Sequence, residues 1–208
     1  MKFAENELYH IYNRGNNRQR IFFRPDNYLF FLKKIRKFLL PYCDILAYCL
    51  MPNHFDFLIN ANSRSVQKKF ISGKSKNILS EGVRYLLSSY AQAINIQNKW
   101  TGSLFQQNTK AKCLERNAKK YDMACFNFIH QKPFKARIVD KIEDWPYSSF
   151  REYCSLESET ICNKKLAFEL LNINKKTFYR DSYRIINYDD LINVYWNNEF
   201  PVQQIYET

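Results

Sequence analysis

A chain of 208 residues that is 46% hydrophobic and 17% aromatic, with only 4 glycines, is long enough for one packed core and too aromatic for a disordered tail protein. Its formal net charge of +12 is unevenly spread: residues 61–120 carry 12 Lys and Arg against 2 acidic groups, while residues 121–208 carry 11 against 13. No apolar run approaches membrane-span length, the polar start Met1–Glu7 has no signal-like apolar core, and the six cysteines form no C-x-x-C pair. A cytoplasmic protein with reduced thiols and no membrane partner is therefore expected.

Residues 6–14 alternate as a strand, with Leu8, His10 and Tyr12 on one face and Tyr9 and Ile11 on the other. The turn after it is dense in planar donors (Asn13, Arg14, Asn16, Asn17, Arg18, Arg20), which suit phosphate oxygens or base edges. A helix from about Asp26 carries Tyr28, Phe31, Leu32, Ile35, Phe38 and Leu39 at helical spacing, and Pro41 ends it. Two strands, 44–50 and 54–60, flank the tight turn Met51-Pro52-Asn53. In the second, His54 and Asp56 lie two apart and project from one face, where they could share a divalent metal; a hydrogen-bonded histidine beside a solvated carboxylate is the plainer alternative.

Residues 61–79 show little period and read as a mobile loop whose Lys68, Lys69, Lys74 and Lys76 track phosphate. Interleaved with Phe70, Tyr85, Tyr90, Trp100 and Phe105, this basic segment fits a nucleic-acid surface with stacking groups better than a merely solvated face. A helix over 81–98 buries Val83, Leu86, Leu87, Tyr90 and Ile94 and is followed by Lys99. Trp100 and Phe105 are either core or stacking rings, and a strand near 104–114 carries Lys110 and Lys112. A third helix begins near Asn117, shows Tyr121, Ala124, Cys125 and Phe128 on one face, and stops at Pro133. The order β-α-β-β-α-β-α predicts an α+β, ferredoxin-like antiparallel sheet with helices packed on one side. Residues 1–153 form the expected domain and 154–208 a small helical extension, whose last stretch, 187–208, holds four acidic residues and no Lys or Arg.

Five segments together resemble the REP-associated tyrosine transposases, within the single-tyrosine HUH transposases. They are Tyr9–Gly15, Met51–Asp56, Thr101–Gln106, Phe128–Pro133 and Asp144–Phe150, in the family's order, and they span about residues 6–153. The resemblance implies an enzyme that binds a hairpin DNA end and cuts single-stranded DNA beside it. There a helix tyrosine attacks the phosphorus, and a metal held by two strand histidines and an amide polarises the phosphate. His54 matches the first metal histidine, but Asp56 stands at the second. Phe128, with no attacking oxygen, occupies the nucleophile position. Lys132, one helical turn on, replaces the amide.

The resemblance and these substitutions together predict a DNA-binding member of that family, recognising hairpin or single-stranded DNA such as a repetitive element or transposon end, with an inactive centre and no certain cofactor. Lys132 is expected to pair with Asp56 in the vacated metal space, where it could still hold a phosphate. The alternative is an active nicking and joining enzyme using Mg²⁺ or Mn²⁺ on His54 and Asp56, with Tyr121 or another tyrosine as a substitute nucleophile. RNA binding by the same sheet is a third reading. His10 and His130 read as structural, although His10 on the first strand could approach the site. The oligomeric state stays open, a homodimer included.

Overall fold

Strand-forming alternation and helical spacing resolve into twelve main elements in a computed structural model, which describes residues 1–71, 73–114, 119–156 and 160–186. The strands are β1 (Leu8–Arg14), β2 (Asp44–Met51), β3 (His54–Asn60), β4 (Lys68–Ile71), β5 (Lys74–Asn77) and β6 (Lys110–Leu114). The helices are α1 (Pro25–Phe38), α2 (Ile78–Asn98), α3 (Lys119–Lys135), α4 (Phe150–Tyr153), α5 (Lys164–Leu170) and α6 (Phe178–Ser182). Four strands form one antiparallel sheet in the order β2-β3-β1-β6, and β4 and β5 form a separate hairpin. This is the α+β, ferredoxin-like plan that the order of elements predicts.

Side chains alternate along a strand, so β3 sends Phe55, Phe57 and Ile59 to one face of the sheet and His54, Asp56 and Leu58 to the other. The aromatic face is covered by α1 and α2. Phe31 sets its ring 5.5 Å from Phe55 and 6.4 Å from Phe57, and Tyr90 meets Phe31 edge-on at 4.8 Å. The two helices approach closely at Gly82, where a Cβ would lie 2.3 Å from the Phe38 carbonyl oxygen. Pro25 opens α1, and Asn27 Oδ1 accepts the otherwise orphaned amides of Phe23 and Arg24.

The opposite face is covered by α3, so helices lie on both sides of the sheet and not on one, as the sequence pattern suggested. The physical reason is that α3 has no apolar stripe to read: Cys125, Phe126, Phe128, Ile129, Gln131 and Lys132 are all buried. Its outer side is closed by the chain after the sheet. Phe126 packs on Tyr153 and Phe178, and Gln131 Nε2 donates to the carbonyls of Ser182 and Arg184. Ile161, Cys162, Ala167, Leu171, Ile173 and Phe178 therefore join the same core as the sheet. Residues 145–149 run along β2, with Trp145 Nε1 donating to Leu50 O at 3.0 Å and Leu50 N to Tyr147 O at 2.9 Å. This segment covers what would otherwise be an open sheet edge.

Four further expectations are corrected. Residues 61–79 are not a featureless loop, since β4 and β5 pair from Lys68↔Asn77 to Ile71↔Lys74. The second helix starts at Ile78, where the Asn77 side chain accepts from Ser80 N, and not at 81. The strand expected over 104–114 is confined to Lys110–Leu114, with Phe105 bridging Gly15 on its own. Pro133 lies inside α3, which runs on to Lys135, because a proline this near the end forfeits a single amide donor. The expected start at Asn117, the side chain of Tyr121 and residues 187–208 lie outside the described residues. No described helix is long and apolar enough to cross a membrane.

Candidate functional site

The tight turn Pro52-Asn53 sets His54 at the head of β3, and antiparallel pairing places Arg14 opposite His54 and Tyr12 opposite Asp56. All four share the face beneath α3. One turn of helix separates Phe128 from Lys132, and both point down onto that face. Lys132 Nζ donates to Asp56 Oδ2 at 2.6 Å and sits 4.8 Å from the centre of the Phe128 ring. The other carboxylate oxygen, Oδ1, takes His10 Nε2 at 2.9 Å. Asp56 is 1% exposed, His10 3% and Lys132 4%, so the three form a buried polar triad, an ion pair with an imidazole hydrogen-bonded to it. The ammonium is thus committed to Asp56, the pairing that the sequence predicts for it.

Burial alone would raise the Asp56 carboxyl, but the Lys132 ammonium, the His10 hydrogen bond and the nearby His54 outweigh it and hold the group well below the usual carboxylate range. Burial pushes His10 below its ordinary value against the pull of Asp56. Burial and then Lys132 push His54 down to about 3. Both imidazoles are therefore neutral near pH 7. His54 Nδ1 lies 2.6 Å from Asn53 Oδ1, and since an amide oxygen only accepts, Nδ1 carries the proton. That leaves Nε2 with a bare lone pair, 3.7 Å from Asp56 Oδ2 and with no hydrogen-bond partner.

Chemically, both oxygens of Asp56 are engaged and a fixed cation already balances its charge. Phe128 is 2% exposed and brings no nucleophilic atom. Among the described residues, no group of three or more His, Cys, Asp or Glu could hold a metal ion. Lys110 and Lys112, opposite Tyr12 and His10 on β6, add two half-buried cations to this face. His10 is the participant that sequence reasoning undervalued. It sits 46 residues from Asp56, and only the β1–β3 register reveals that the two share a face.

The remaining flagged residues fall into other places. Asn13 is buried, with its amide donating to Gln106 O and Thr109 Oγ1 and accepting from Arg14 N. Asn16 and Asn17 are exposed on a 3-10 turn that folds against Trp100–Leu104, as Asn16 N donates to Leu104 O at 2.9 Å. Arg18, Arg20 and Lys99 are exposed nearby in sequence on the same two segments. Lys68, Lys69 and Lys74 are exposed on the β4–β5 hairpin, Lys69 stands directly opposite Lys76, and Phe70 is 76% exposed. Phe105 is core at 7% exposure, whereas Trp100 is 45% exposed.

No protein-family model matches the chain, and no curated protein matches it. Among solved structures, a REP-associated tyrosine transposase bound to a REP hairpin is similar in fold. The TM-score is 0.56 with 16% sequence identity, and the match covers 77% of this chain and 87% of that one. At that identity the likeness is one of fold.

Proposed function

We propose that this chain is a derivative of the REP-associated tyrosine transposases that binds hairpin or single-stranded DNA and has lost strand nicking. The reading is carried by one contact, Lys132 Nζ to Asp56 Oδ2 at 2.6 Å beneath the Phe128 ring. In the family the corresponding positions supply a metal ligand, a second ligand and the nucleophile; here they are an ammonium, its counter-ion and a phenyl ring. The donor set does not fit a divalent cation as it stands. An ammonium cannot ligate, and a metal displacing it would leave a buried, unpaired charge. The bare Nε2 of His54 is the feature that favours a metal, and it is one ligand without a second free one.

Binding then falls to the exposed cations. A net of +10 within residues 61–120, with four of its twelve Lys and Arg on the β4–β5 hairpin, supports phosphate contact by counterion release. The fold likeness to a hairpin-bound protein supports DNA as the polyanion.

The test uses an end-labelled hairpin with Mn²⁺. The unmodified protein should retard the hairpin on a native gel, leave it uncut on a denaturing gel and show feeble Mn²⁺ binding by calorimetry. The triple variant Asp56→His, Phe128→Tyr and Lys132→Asn should recover metal binding. A covalent protein–DNA band from the unmodified chain, or tight Mn²⁺ binding lost in His54→Ala, would establish an active metal-dependent enzyme and overturn the reading.

A further inference from the structure

We infer that the hollow between the turn after β1 and the segment after α2 receives one unpaired nucleobase, read by Asn16 and Asn17 and stacked by Trp100. The inference rests on the proposed DNA binding and names what part of the DNA this place takes. The hollow has a volume of about 310 Å³, and its lining includes Asn16, Asn17, Asn95, Trp100, Thr101 and Ser103. That is at the small end of ligand pockets.

The hollow is built by a specific backbone path. A Cβ at Gly15 would lie 2.1 Å from the Gln19 carbonyl oxygen, so the turn closes this tightly only around glycine. Asn17 and Arg18 both take left-handed φ values, 50° and 59°, and Lys99 and Gly102 do the same across the hollow at 54° and 97°. Gln19 Nε2 donates to Leu104 O at 3.1 Å, Asn95 Nδ2 to Gly102 O at 2.9 Å, and Ser103 Oγ to Phe105 O at 2.5 Å. Those groups are occupied in holding the walls.

Asn16, Asn17 and Trp100 are different. Among the described residues, none hydrogen-bonds their side chains, and the Trp100 ring, 45% exposed, meets Phe23 in an edge-to-face contact at 5.3 Å. A side-chain amide offers a donor beside an acceptor, the pattern that matches a base edge. A half-exposed indole offers a stacking plane that every base can use. The lining holds no cation and no acid. A phosphate would select cations, and here Arg18, Arg20 and Lys99 stand on the flanking backbone and not among the lining residues. A base inside with phosphates outside is the arrangement these groups complement.

The experiment uses the full chain and three kinds of DNA. One is a hairpin with single-stranded 5′ and 3′ tails. A second set carries an abasic site at one tail nucleotide at a time, and the third is the same hairpin without tails. One abasic position should weaken binding roughly tenfold, as loss of one base stack implies. Trp100→Ala, and separately the Asn16→Ala/Asn17→Ala pair, should abolish the difference between intact and abasic DNA while leaving the tail-less hairpin bound as before. Equal affinity at every abasic position overturns the pocket, as does a loss in the variants that is the same for all three DNAs. Failure of the unmodified chain to bind any of these DNAs overturns the DNA-binding reading itself, a result distinct from binding without position dependence.

Discussion

The two faces of β3 are built from consecutive residues and follow opposite physics. Phe55 and Phe57 enter a core of packed rings with Phe31 and Tyr90, where burial is non-directional and tolerant of small adjustments. His54 and Asp56, one residue out of step, enter a compartment of similar depth that holds a carboxylate, an ammonium and two neutral imidazoles. The aromatic face accounts for the fold. The polar face accounts for little stability that an apolar layer would not supply equally well, since burying an ion pair costs about as much desolvation as its attraction returns.

The largest expected effect separates the faces by what can rescue them. Phe57→Ala should cost about 3–5 kcal/mol, from lost transfer energy and the cavity left behind. Asp56→Ala should cost about as much, because it strands a buried ammonium. The double variant Asp56→Leu/Lys132→Met should return close to the parent, whereas no single partner change on the aromatic face restores Phe57→Ala. Urea midpoints of the four proteins are the measurement. If Asp56→Ala unfolds where the parent does, the Lys132–Asp56 ion pair is not holding α3 to the sheet, and the contrast between the faces disappears.

Legibility in the sequence divides along the same line. The period-two pattern of His54–Ile59 and the helical spacing from Tyr28 to Leu39 come from burial against one surface, and both elements formed where the pattern put them. The fold class followed from their order. The side of the sheet taken by α3 did not, because a helix buried nearly all round shows no stripe. The β4–β5 hairpin escaped notice because Lys-Lys-Phe-Ile and Lys-Ser-Lys-Asn carry few strand-forming residues, and Lys68, Lys69, Phe70, Lys74 and Ser75 are all exposed. At the site, the approach of Lys132 to Asp56 followed from helix geometry and the family's order of motifs. The His10 contact required the β1–β3 register, and the hollow beside Trp100 required two left-handed turns that no composition announces.

Acid should discriminate the faces next. All three histidines, His10, His54 and His130, are lowered by burial, His54 and His130 to about 3. Below their ordinary value of 6.5 the unfolded chain takes up protons that the folded chain refuses. Stability therefore falls as pH drops below that point, by about 1.4 kcal/mol per pH unit for each of His54 and His130, with His10 contributing in the same direction. Asp56 works in a lower window: its depressed carboxyl stabilises the fold above its unfolded value of 3.8 and loses that contribution only as pH falls below it. Urea midpoints taken from pH 7 to pH 5 should decline, and His54→Gln should flatten that decline. A midpoint constant over this range would mean that these imidazoles ionise freely in the fold and that the polar compartment is wet.

The smallest effect on stability is expected at the hairpin, and it comes with a large effect on binding. Lys69 stands directly across from Lys76, and like charges in that position oppose pairing of the two strands. A two-stranded ribbon is also marginal by itself. Replacing Lys68, Lys69, Lys74 and Lys76 with Ala removes the repulsion and, among the described residues, one modest ion pair, Lys76 Nζ to Glu81 Oε1 at 3.5 Å. Stability should therefore move by no more than about 0.5 kcal/mol. Binding to hairpin DNA should weaken across sequences, and the slope of log affinity against log salt should shrink by about 3 if four phosphates lose their partners. Fluorescence titrations at several salt concentrations give both numbers. An unchanged slope would move the phosphate surface off the hairpin and onto Arg18, Arg20 and Lys99. The basic ribbon would then be a solubility feature, and the functional contrast in this molecule would be confined to the two faces of its sheet.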